Sequence, residues 1–374
     1  MSTIDSADVV IVGGGIVGIS TAYYLAKKGI KSMVIERDTV GSHASGFAYG
    51  SLGALGGPGI PGPGLAVAVK GVHLHHQLAQ ELPERAGINI EYRDRPSLSL
   101  VFTKQDSEAA KNSLHWIQSQ PDYAVKWIDQ SSLQEIEPRI SDEAIGAIHV
   151  NGTADVEPYR LVLALTQASE SIGVTIRHGH ITGLVGTHSK VKGVTLDSND
   201  TISCEYVVFA MGPWSGEASP WLGIDISVQP LKGQILRLRA PGAPYQYSIS
   251  WGDNYATTKP DGMVWAGTTE EDVGFDENPT PEARDKIMAS LLRVLPALKD
   301  SELVRQTACL RPLSADRLML LGKVPGWEGA YMATGAGRQG IVLGPAMGQI
   351  TANLITKGQT SIPIEAFDPG RFSK

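Results

Sequence analysis

The sequence lacks several features that mark common classes of protein. Of its 374 residues only two are cysteines, Cys204 and Cys309, and neither has the spacing of a metal site. We interpret both as small buried side chains rather than ligands or nucleophiles, and we predict no metal site. No apolar run approaches the roughly 18 residues that a membrane span needs. These absences predict a cytoplasmic protein without a membrane span.

Basic clusters and a targeting leader are also missing. The formal net charge is −7, and no block of Lys or Arg is present, which argues against a nucleic-acid partner. The first residues, MSTIDSAD, contain neither a basic segment nor an apolar one, so we predict no signal peptide. The composition, 42% hydrophobic and 19% charged, is that of a globular protein with one large core or two domains.

The stretch DVVIVGGGIVGISTAYYLAKKG near the start of the chain places three glycines between two apolar patterns. Val9–Val12 are consecutive β-branched residues, which predicts a buried strand. Helical spacing begins at Ile16 and ends before Gly29. Ser32–Ile35 predict a second strand, which Glu36 closes. The pattern therefore predicts a strand, a helix and a parallel strand.

The glycine motif at this turn is typical of a dinucleotide site. Gly13 would form the tight turn, Gly15 would let a pyrophosphate approach the helix N-terminus, and Gly18 would let helix and strand pack closely. Glu36, at the end of the second strand, can accept hydrogen bonds from ribose hydroxyls. Its negative charge argues against NADP, whose additional phosphate it would repel.

Two later segments repeat the combination of strand and glycine turn and favour FAD over NAD. One is YVVFAMGPWSG, at Tyr206–Gly216. The other, at Gly329–Ile355, predicts a strand at Ala330–Ala333, a glycine turn and a helix from Ile341. A helix N-terminus aimed at a flavin ring would stabilise the negative charge that reduction places there. A simple dehydrogenase needs no such third segment.

These segments, taken in order, resemble the FAD-dependent family of D-amino-acid oxidase, sarcosine oxidase and glycine oxidase, and are most similar to bacterial glycine oxidase. The resemblance covers nearly the whole chain. Besides the glycine motif it rests on VGSHASGFAYGSLGAL (Val40–Leu55), DVEPYRL (Asp155–Leu161), VVFAMGPWSG, VQPLKGQ (Val228–Gln234), LRPLSADRLMLLG (Leu310–Gly322) and GAGRQGI (Gly335–Ile341).

The resemblance implies an α/β protein of two interleaved domains. A Rossmann-like FAD-binding domain would use residues 1–80, 150–225 and 323–374. A substrate-binding domain with an antiparallel sheet would use residues 81–149 and 226–322. The period-two alternation of Ser97–Thr103 supports such a half-buried sheet, and we interpret Met263–Thr269 in the same way. Helices are predicted from Pro158 to before Gly173, and from Pro281 after Thr280.

The resemblance also implies which residues bind FAD. They belong to the glycine motif, the end of the second strand, the segment that follows it, and the later glycine turns. They are Gly13, Gly15, Ile16, Val17, Gly18, Glu36, Arg37, Ala44, Ser45, Tyr49, Gly50, Ser51, Ile181, Gly212, Trp214, Gly335, Gly337, Arg338, Gln339, Gly340 and Ile341.

Three residues are candidates for binding and orienting a substrate. Arg311 stands where the family has the arginine that binds the substrate carboxylate, a group for which a guanidinium is a bidentate partner. Tyr255 stands where glycine oxidase has the tyrosine that closes over that carboxylate, and Arg338 would lie beside the flavin. Each also has a structural interpretation: a surface arginine, a tyrosine of the core, and a helix-capping or surface arginine.

The sequence departs from the family pattern at several positions. Asp253 and Glu270 replace a histidine and a methionine of glycine oxidase, so the substrate need not be glycine. Phe47 stands where some members carry a histidine bonded to FAD, and the nearest histidine is His43; we therefore expect non-covalent FAD. The glycine- and proline-rich stretch Gly53–Gly64 is either an exposed connector or a loop that shapes the entrance to the flavin.

The sequence therefore predicts an FAD-dependent enzyme that oxidises an amine or amino acid and passes electrons to O₂. A dehydrogenase with a quinone or carrier as acceptor remains the alternative, and a subunit that holds FAD without turnover represents another class. An NAD(P)H-dependent flavin reductase would need a second GxGxxG after a strand, and none is present. The expected partners are the small substrate, O₂ or another acceptor, and further copies of the same chain.

Overall fold

The computed structural model describes residues 6–373, which form a mixed α/β protein. Residues 1–5 lie outside the described residues. Two predictions concern them in part: the lack of a signal peptide and the start of the first domain. In the described part of the chain, no helix has both the length and the apolar character required to cross a membrane.

The secondary structure alternates between strands and helices along much of the chain. The strands are β1 (Val9–Val12), β2 (Ser32–Glu36), β3 (Ser51–Leu52), β4 (Arg93–Asp94), β5 (Ser97–Val101), β6 (Ala124–Asp129), β7 (Gly146–Asn151), β8 (Ala154–Asp155), β9 (Thr175–His178), β10 (Ile181–Thr187), β11 (Lys190–Leu196), β12 (Thr201–Ser203), β13 (Tyr206–Phe209), β14 (Val228–Arg239), β15 (Ser248–Trp251), β16 (Asn254–Thr258), β17 (Val264–Gly267), β18 (Glu302–Ser314), β19 (Leu320–Lys323) and β20 (Ala330–Thr334). The helices are α1 (Ile16–Ala26), α2 (Ala44–Phe47), α3 (Gly64–Ala86), α4 (Lys104–Gln118), α5 (Gln130–Ile136), α6 (Pro158–Ser171), α7 (Ser219–Leu222), α8 (Pro281–Val294) and α9 (Gly340–Lys357).

A mainly parallel sheet contains the strand with which the glycine motif begins. Its strand order in the described residues is β19-β20-β13-β1-β2-β9, and only the β19–β20 pair runs antiparallel. The predicted strands Val9–Val12 and Ser32–Ile35 are confirmed as β1 and β2. The side chains of β1 are buried on both faces, which is why the strand is continuously apolar rather than alternating.

Helices α1 and α9 pack on this sheet, and α3 and α6 pack on these two helices; together they form the main hydrophobic core. The predicted helix from Pro158 is confirmed as α6, with the Glu157 carboxylate accepting a hydrogen bond from the Arg160 backbone N–H at the N-terminus. The predicted capping of α8 is also confirmed, since the Thr280 side chain accepts from the Ala283 N–H. Both helices begin with proline, whose missing N–H costs nothing in the first turn.

A larger sheet has the order β18-β14-β17-β16-β15-β5-β7-β6. Adjacent strands in this sheet run antiparallel, except that β5 and β15 are parallel. The strands predicted at Ser97–Thr103 and Met263–Thr269 are present but shorter, as β5 and β17. The half-buried interpretation was wrong for β17, which is buried throughout. Helix α8 packs on one side of β17, and the Arg237 guanidinium lies over the ring of Trp265, a residue of β17.

The chain passes between the two sheets more than once. The parallel sheet takes its strands from residues 9–36, 175–209 and 320–334, and the larger sheet takes its strands from residues 97–151 and 228–314. The predicted division into an FAD-binding and a substrate-binding domain at the boundaries stated above stays a prediction, and β19 crosses one of those boundaries.

Helices α3 and α9 approach so closely at Gly71 that a Cβ there would collide with the backbone carbonyl of Val342. We expect Gly71→Ala to destabilise the protein by roughly 1–3 kcal/mol, because overpacking outweighs the better helix propensity of alanine. Thermal unfolding at a fixed scan rate measures the effect. Gly183→Ala is the control, because its nearest neighbour would lie at an ordinary 3.8 Å. Unfolding of Gly71→Ala at or above the wild-type temperature would contradict this account.

Candidate active site

One large cavity, with a volume of about 570 Å³, lies between the parallel sheet and the larger sheet. Its walls include the glycine motif, the segment from Gly41 to Gly56, the turn after β13 and the turn before α9. Tyr255 and Arg311 line it from the larger sheet. The cavity therefore brings together every predicted site residue except Gly18, although these residues are spread over most of the chain.

The turn between β1 and α1 leaves open space at the N-terminus of the helix. Gly13 has a left-handed φ of 107°, and Gly15 is the N-cap residue of α1, without a side chain that caps the helix. A Cβ on Gly15 would lie 3.3 Å from the Ser45 hydroxyl oxygen, which accepts a hydrogen bond from the Ile16 N–H at 3.0 Å. This arrangement suits a phosphate, which binds favourably at a helix N-terminus.

Gly18 lies behind this turn, outside the cavity wall. A Cβ on Gly18 would collide with the backbone carbonyl of Gly13, so the residue serves the close packing of α1 on β1. Glu36 does line the cavity, at the end of β2. Its carboxylate accepts hydrogen bonds from the N–H groups of Gly14 at 2.6 Å and Asp38 at 2.8 Å, which fixes a negative group beside the glycine turn.

Arg37, Trp214 and His43 form one end of the cavity. The Arg37 guanidinium lies 3.9 Å from the centre of the Trp214 ring, and the His43 imidazole contacts the same ring edge-on at 4.7 Å. The sequence assigned no role to His43, which the structure places within 2.9 Å of Asp38 and 3.1 Å of Glu277. Burial opposes protonation of His43, but the two carboxylates outweigh it and raise the pKa of the imidazole.

A second helix N-terminus, that of α9, faces the cavity. The helix begins at Gly340, one residue before the predicted start, and no side chain caps it. The Gln339 side-chain amide donates a hydrogen bond to the Gly56 carbonyl at 2.7 Å. In the Gly53–Gly64 loop, residues 53, 55 and 56 line the cavity, while residues 57, 58 and 61 are exposed. A role of this loop at the entrance to the flavin stays a prediction.

Arg311 reaches the cavity from β18 and is only 9% exposed. Its Nη1 donates to the Thr269 carbonyl at 3.0 Å, and its Nη2 donates to the Thr268 hydroxyl at 2.6 Å. On β14, a Cβ at Gly233 would occupy the space of the guanidinium, so this glycine makes room for it. Within residues 6–373, no carboxylate forms an ion pair with Arg311.

Tyr255 lies beside Arg311 on the wall of the cavity. Its ring stacks on that of Tyr49, with 3.9 Å between the ring centres. Burial raises the pKa of Tyr255 to about 12, although Arg311 and Arg338 oppose the rise. The phenol is therefore neutral at physiological pH and can donate a hydrogen bond. No pattern in the sequence predicts the contact between Tyr49 and Tyr255.

Arg338 differs from Arg311 because carboxylates surround it. Its Nη1 donates to Asp253 at 2.9 Å and to Glu270 at 3.4 Å, and its Nη2 donates to the Asp253 carbonyl at 2.7 Å. Asp253 and Glu270 are the positions where, in the resemblance described above, glycine oxidase has a histidine and a methionine. The structure shows that both departures act on the same guanidinium.

Comparison with known proteins agrees with this site. Residues 8–354 match the model of the family described as DAO, FAD-dependent oxidoreductase. The chain belongs to this family of FAD-binding flavoproteins. It is 30% identical over 366 residues to a protein named glycine oxidase from Geobacillus kaustophilus, with 96% of each chain covered. It is equally identical over 404 residues to hydrogen cyanide synthase subunit HcnC of Pseudomonas aeruginosa, covering 98% of this chain and 96% of that protein.

The solved structures include a close neighbour of the whole fold. The crystal structure of glycine oxidase from Geobacillus kaustophilus superposes with a TM-score of 0.93, covering 98% of this chain and 99% of that one, at 28% identity. The mixed α/β architecture predicted from the sequence is therefore that of glycine oxidase. The predicted resemblance to the D-amino-acid oxidase and glycine oxidase family is confirmed.

The residues of the cavity fit FAD in this DAO-family chain. The glycine-lined N-terminus of α1 suits the pyrophosphate, and Glu36 suits the hydroxyls of a ribose. The N-terminus of α9, at Gly340, suits a group that gains negative charge. The roles of the individual residues stay predictions.

Helix α3 contains three histidines, His73, His75 and His76, and His75 has a structural role. His75 is buried, and its Nε2 donates to the Ile341 carbonyl at 2.8 Å. Burial lowers the pKa of His75 to about 4, so the ring is neutral and joins α3 to the first turn of α9. In the part of the chain that the structure describes, no group of three His, Cys, Asp or Glu side chains is placed to hold a metal ion.

We expect Gly15→Val to abolish retention of FAD, because the added side chain would fill the space at the N-terminus of α1. The measurement is the ratio of flavin absorbance to protein absorbance after gel filtration. Gly183→Val, in β10 and outside the cavity wall, is the matched control. A wild-type flavin content in a folded Gly15→Val protein would show that this turn binds no dinucleotide.

We also expect the cofactor to be released intact by acid or heat, because the position of the covalent histidine is taken by Phe47, which lines the cavity. Acid precipitation followed by mass spectrometry of the supernatant measures the release. Flavin that remains with the precipitated chain would contradict non-covalent binding, and peptide mapping would then identify the bonded residue, with His43 the first to inspect.

Proposed function

We propose that this protein oxidises the CH–NH bond of an amino acid or N-substituted glycine to the imine, and that the electrons pass to O₂. Two electrons and two protons leave the carbon and nitrogen of the substrate, and O₂ is reduced to H₂O₂. A cytoplasmic location and assembly with further copies of the chain remain predictions.

The observation that supports this proposal is the unpaired guanidinium of Arg311. A buried charge without a partner is costly, so structures rarely retain one without a function. The guanidinium lines the cavity, and no carboxylate of the described residues pairs with it. A substrate carboxylate is the bidentate partner that would complete its hydrogen bonding.

The neighbours of Arg311 are arranged to hold that carboxylate in one orientation. Thr268 and Thr269 fix the guanidinium plane through the two hydrogen bonds described above. Tyr255, neutral at physiological pH, would donate a further hydrogen bond to the bound carboxylate. Such fixed contacts lower the entropic cost of placing the reacting C–H bond.

Position and charge are the main contributions of the protein to this chemistry. FAD, when bound, supplies the acceptor for the hydride. Cys309 also lines the cavity, but burial raises the pKa of its thiol to about 11, so it is protonated and a poor nucleophile. No covalent step through this cysteine is required.

A dehydrogenase that delivers electrons to a quinone or carrier is the second candidate. The similarity to a protein named as a subunit of hydrogen cyanide synthase, as high as that to glycine oxidases, is the observation that favours it. The same similarity raises a subunit without its own turnover as a third possibility. The retention of Arg311 and Tyr255 in one cavity argues against the latter.

Anaerobic mixing with candidate amino acids and N-substituted glycines tests the proposal. Loss of the flavin absorbance band would identify the substrate. Rapid return of the band on admission of air, with formation of H₂O₂, supports the oxidase. Return only with an artificial electron acceptor supports the dehydrogenase, and no loss with any amino compound would contradict both.

Arg311→Ala should lower kcat/KM for the amino acid by two to four orders of magnitude, roughly 3–5 kcal/mol of transition-state stabilisation. Arg311→Lys should recover only part of the lost kcat/KM, because an ammonium group cannot form the two parallel hydrogen bonds of a guanidinium. Flavin content and thermal stability are measured alongside, with the exposed Arg239→Ala as control. The amine analogue without the carboxylate provides the comparison: an equal loss for acid and amine would show that Arg311 is structural.

A further inference from the structure

The second arginine of the cavity is held by two carboxylates that come from different parts of the chain. Arg338 lies in the turn Gly337–Gln339 before α9. Asp253 lies in the tight turn between β15 and β16, and Glu270 follows β17. Arg338 is distant in sequence from both carboxylates, and the fold brings them within 3.4 Å of its guanidinium.

The contacts engage both outer nitrogens of Arg338. Nη1 is shared between the carboxylates of Asp253 and Glu270, and Nη2 is bonded to the Asp253 backbone carbonyl. One positive charge therefore faces two negative ones, so this group carries a net charge of −1. In contrast, the guanidinium of Arg311 retains its full positive charge without an acidic partner in the described residues.

The two arginines border one space. Asp253, Arg338, Tyr255 and Arg311 all line the cavity, and both guanidinium groups are close enough to Tyr255 to affect its pKa. A substrate whose carboxylate binds Arg311 would therefore occupy the same cavity as the Arg338 group. Asp253 lines this cavity, and its side chain is 83% exposed, so its carboxylate is accessible from solvent.

We propose that Asp253 and Glu270 determine the substrate class: a compound with a single carboxylate whose substituent beyond the amine is neutral or cationic. A second carboxylate would meet a net negative charge instead of a free guanidinium. This inference rests on the proposed amine oxidation. It follows that removal of the two carboxylates frees Arg338 and converts the site to one that accepts dicarboxylates.

Three glycines with different N-substituents test the charge preference: sarcosine with a neutral group, N-(2-aminoethyl)glycine with a cationic one, and iminodiacetate with an anionic one. The wild type should prefer the cationic compound to iminodiacetate. In Asp253→Asn/Glu270→Gln the ratio of their kcat/KM values should fall by roughly tenfold or more, mainly through KM for iminodiacetate. The matched control Glu302→Gln/Glu328→Gln removes two exposed, paired carboxylates outside the cavity wall.

A binding measurement without turnover separates this inference from the proposed function. Acetate and malonate are titrated into the FAD-loaded protein, and the shift of the flavin absorbance band reports occupancy. The wild type should bind acetate more tightly than malonate, and the double variant should reverse this order. Flavin content and unfolding temperature of each variant establish that the fold is retained.

The outcomes are distinguishable. Changed selectivity in the double variant but not in the control supports the inference. Turnover of sarcosine with an unchanged ratio in the double variant overturns the inference and leaves amine oxidation intact. Lack of turnover of every amino compound overturns the proposed function, and the acetate and malonate titration then still decides whether the two carboxylates select the ligand charge.

Discussion

The buried carboxylate of Asp155 holds the small sheet β3-β8-β4 against the end of β16 in the larger sheet. Arg93 donates to both of its oxygens, at 3.0 and 2.8 Å, and Lys259 approaches at 3.4 Å. Burial lowers the pKa of Lys259 to about 8, against the attraction of Asp155. Removal of one partner from such a pair typically costs about 3–5 kcal/mol, because it leaves a buried charge unpaired.

This ionic cluster also supports the cavity. The Lys259 ammonium lies 5.5 Å from the centre of the Tyr49 ring, which stacks on Tyr255. Arg93 donates in addition to the Thr258 carbonyl, at the end of the strand that carries Tyr255. The position of the tyrosine pair at the cavity wall thus depends on charges that do not themselves reach the cavity. The N-termini of both α1 and α9 face the cavity.

Under the proposed function, the difference between the two arginines would let one cavity both attract a carboxylate and discriminate among carboxylates. Arg311 is buried and held only by neutral oxygens, which orient it without cancelling its charge. Arg338 is more exposed, and two carboxylates neutralise it. A residue type alone does not distinguish these functions, because the charge that a ligand experiences depends on which groups the fold places around each guanidinium.

The sequence by itself determined the parts of this protein that depend on local patterns. The glycine motif, the strands β1 and β2, and the capped helices α6 and α8 follow from spacing and residue type within short segments, and family resemblance extended them to a cofactor. Tertiary structure alone decided the contacts between distant residues: the pairing of Arg338 with Asp253 and Glu270, the stacking of Tyr49 on Tyr255, and the burial of β17. The physical reason is that local periodicity reports which face of an element is apolar, whereas the partner of a polar group is set by how separate elements pack.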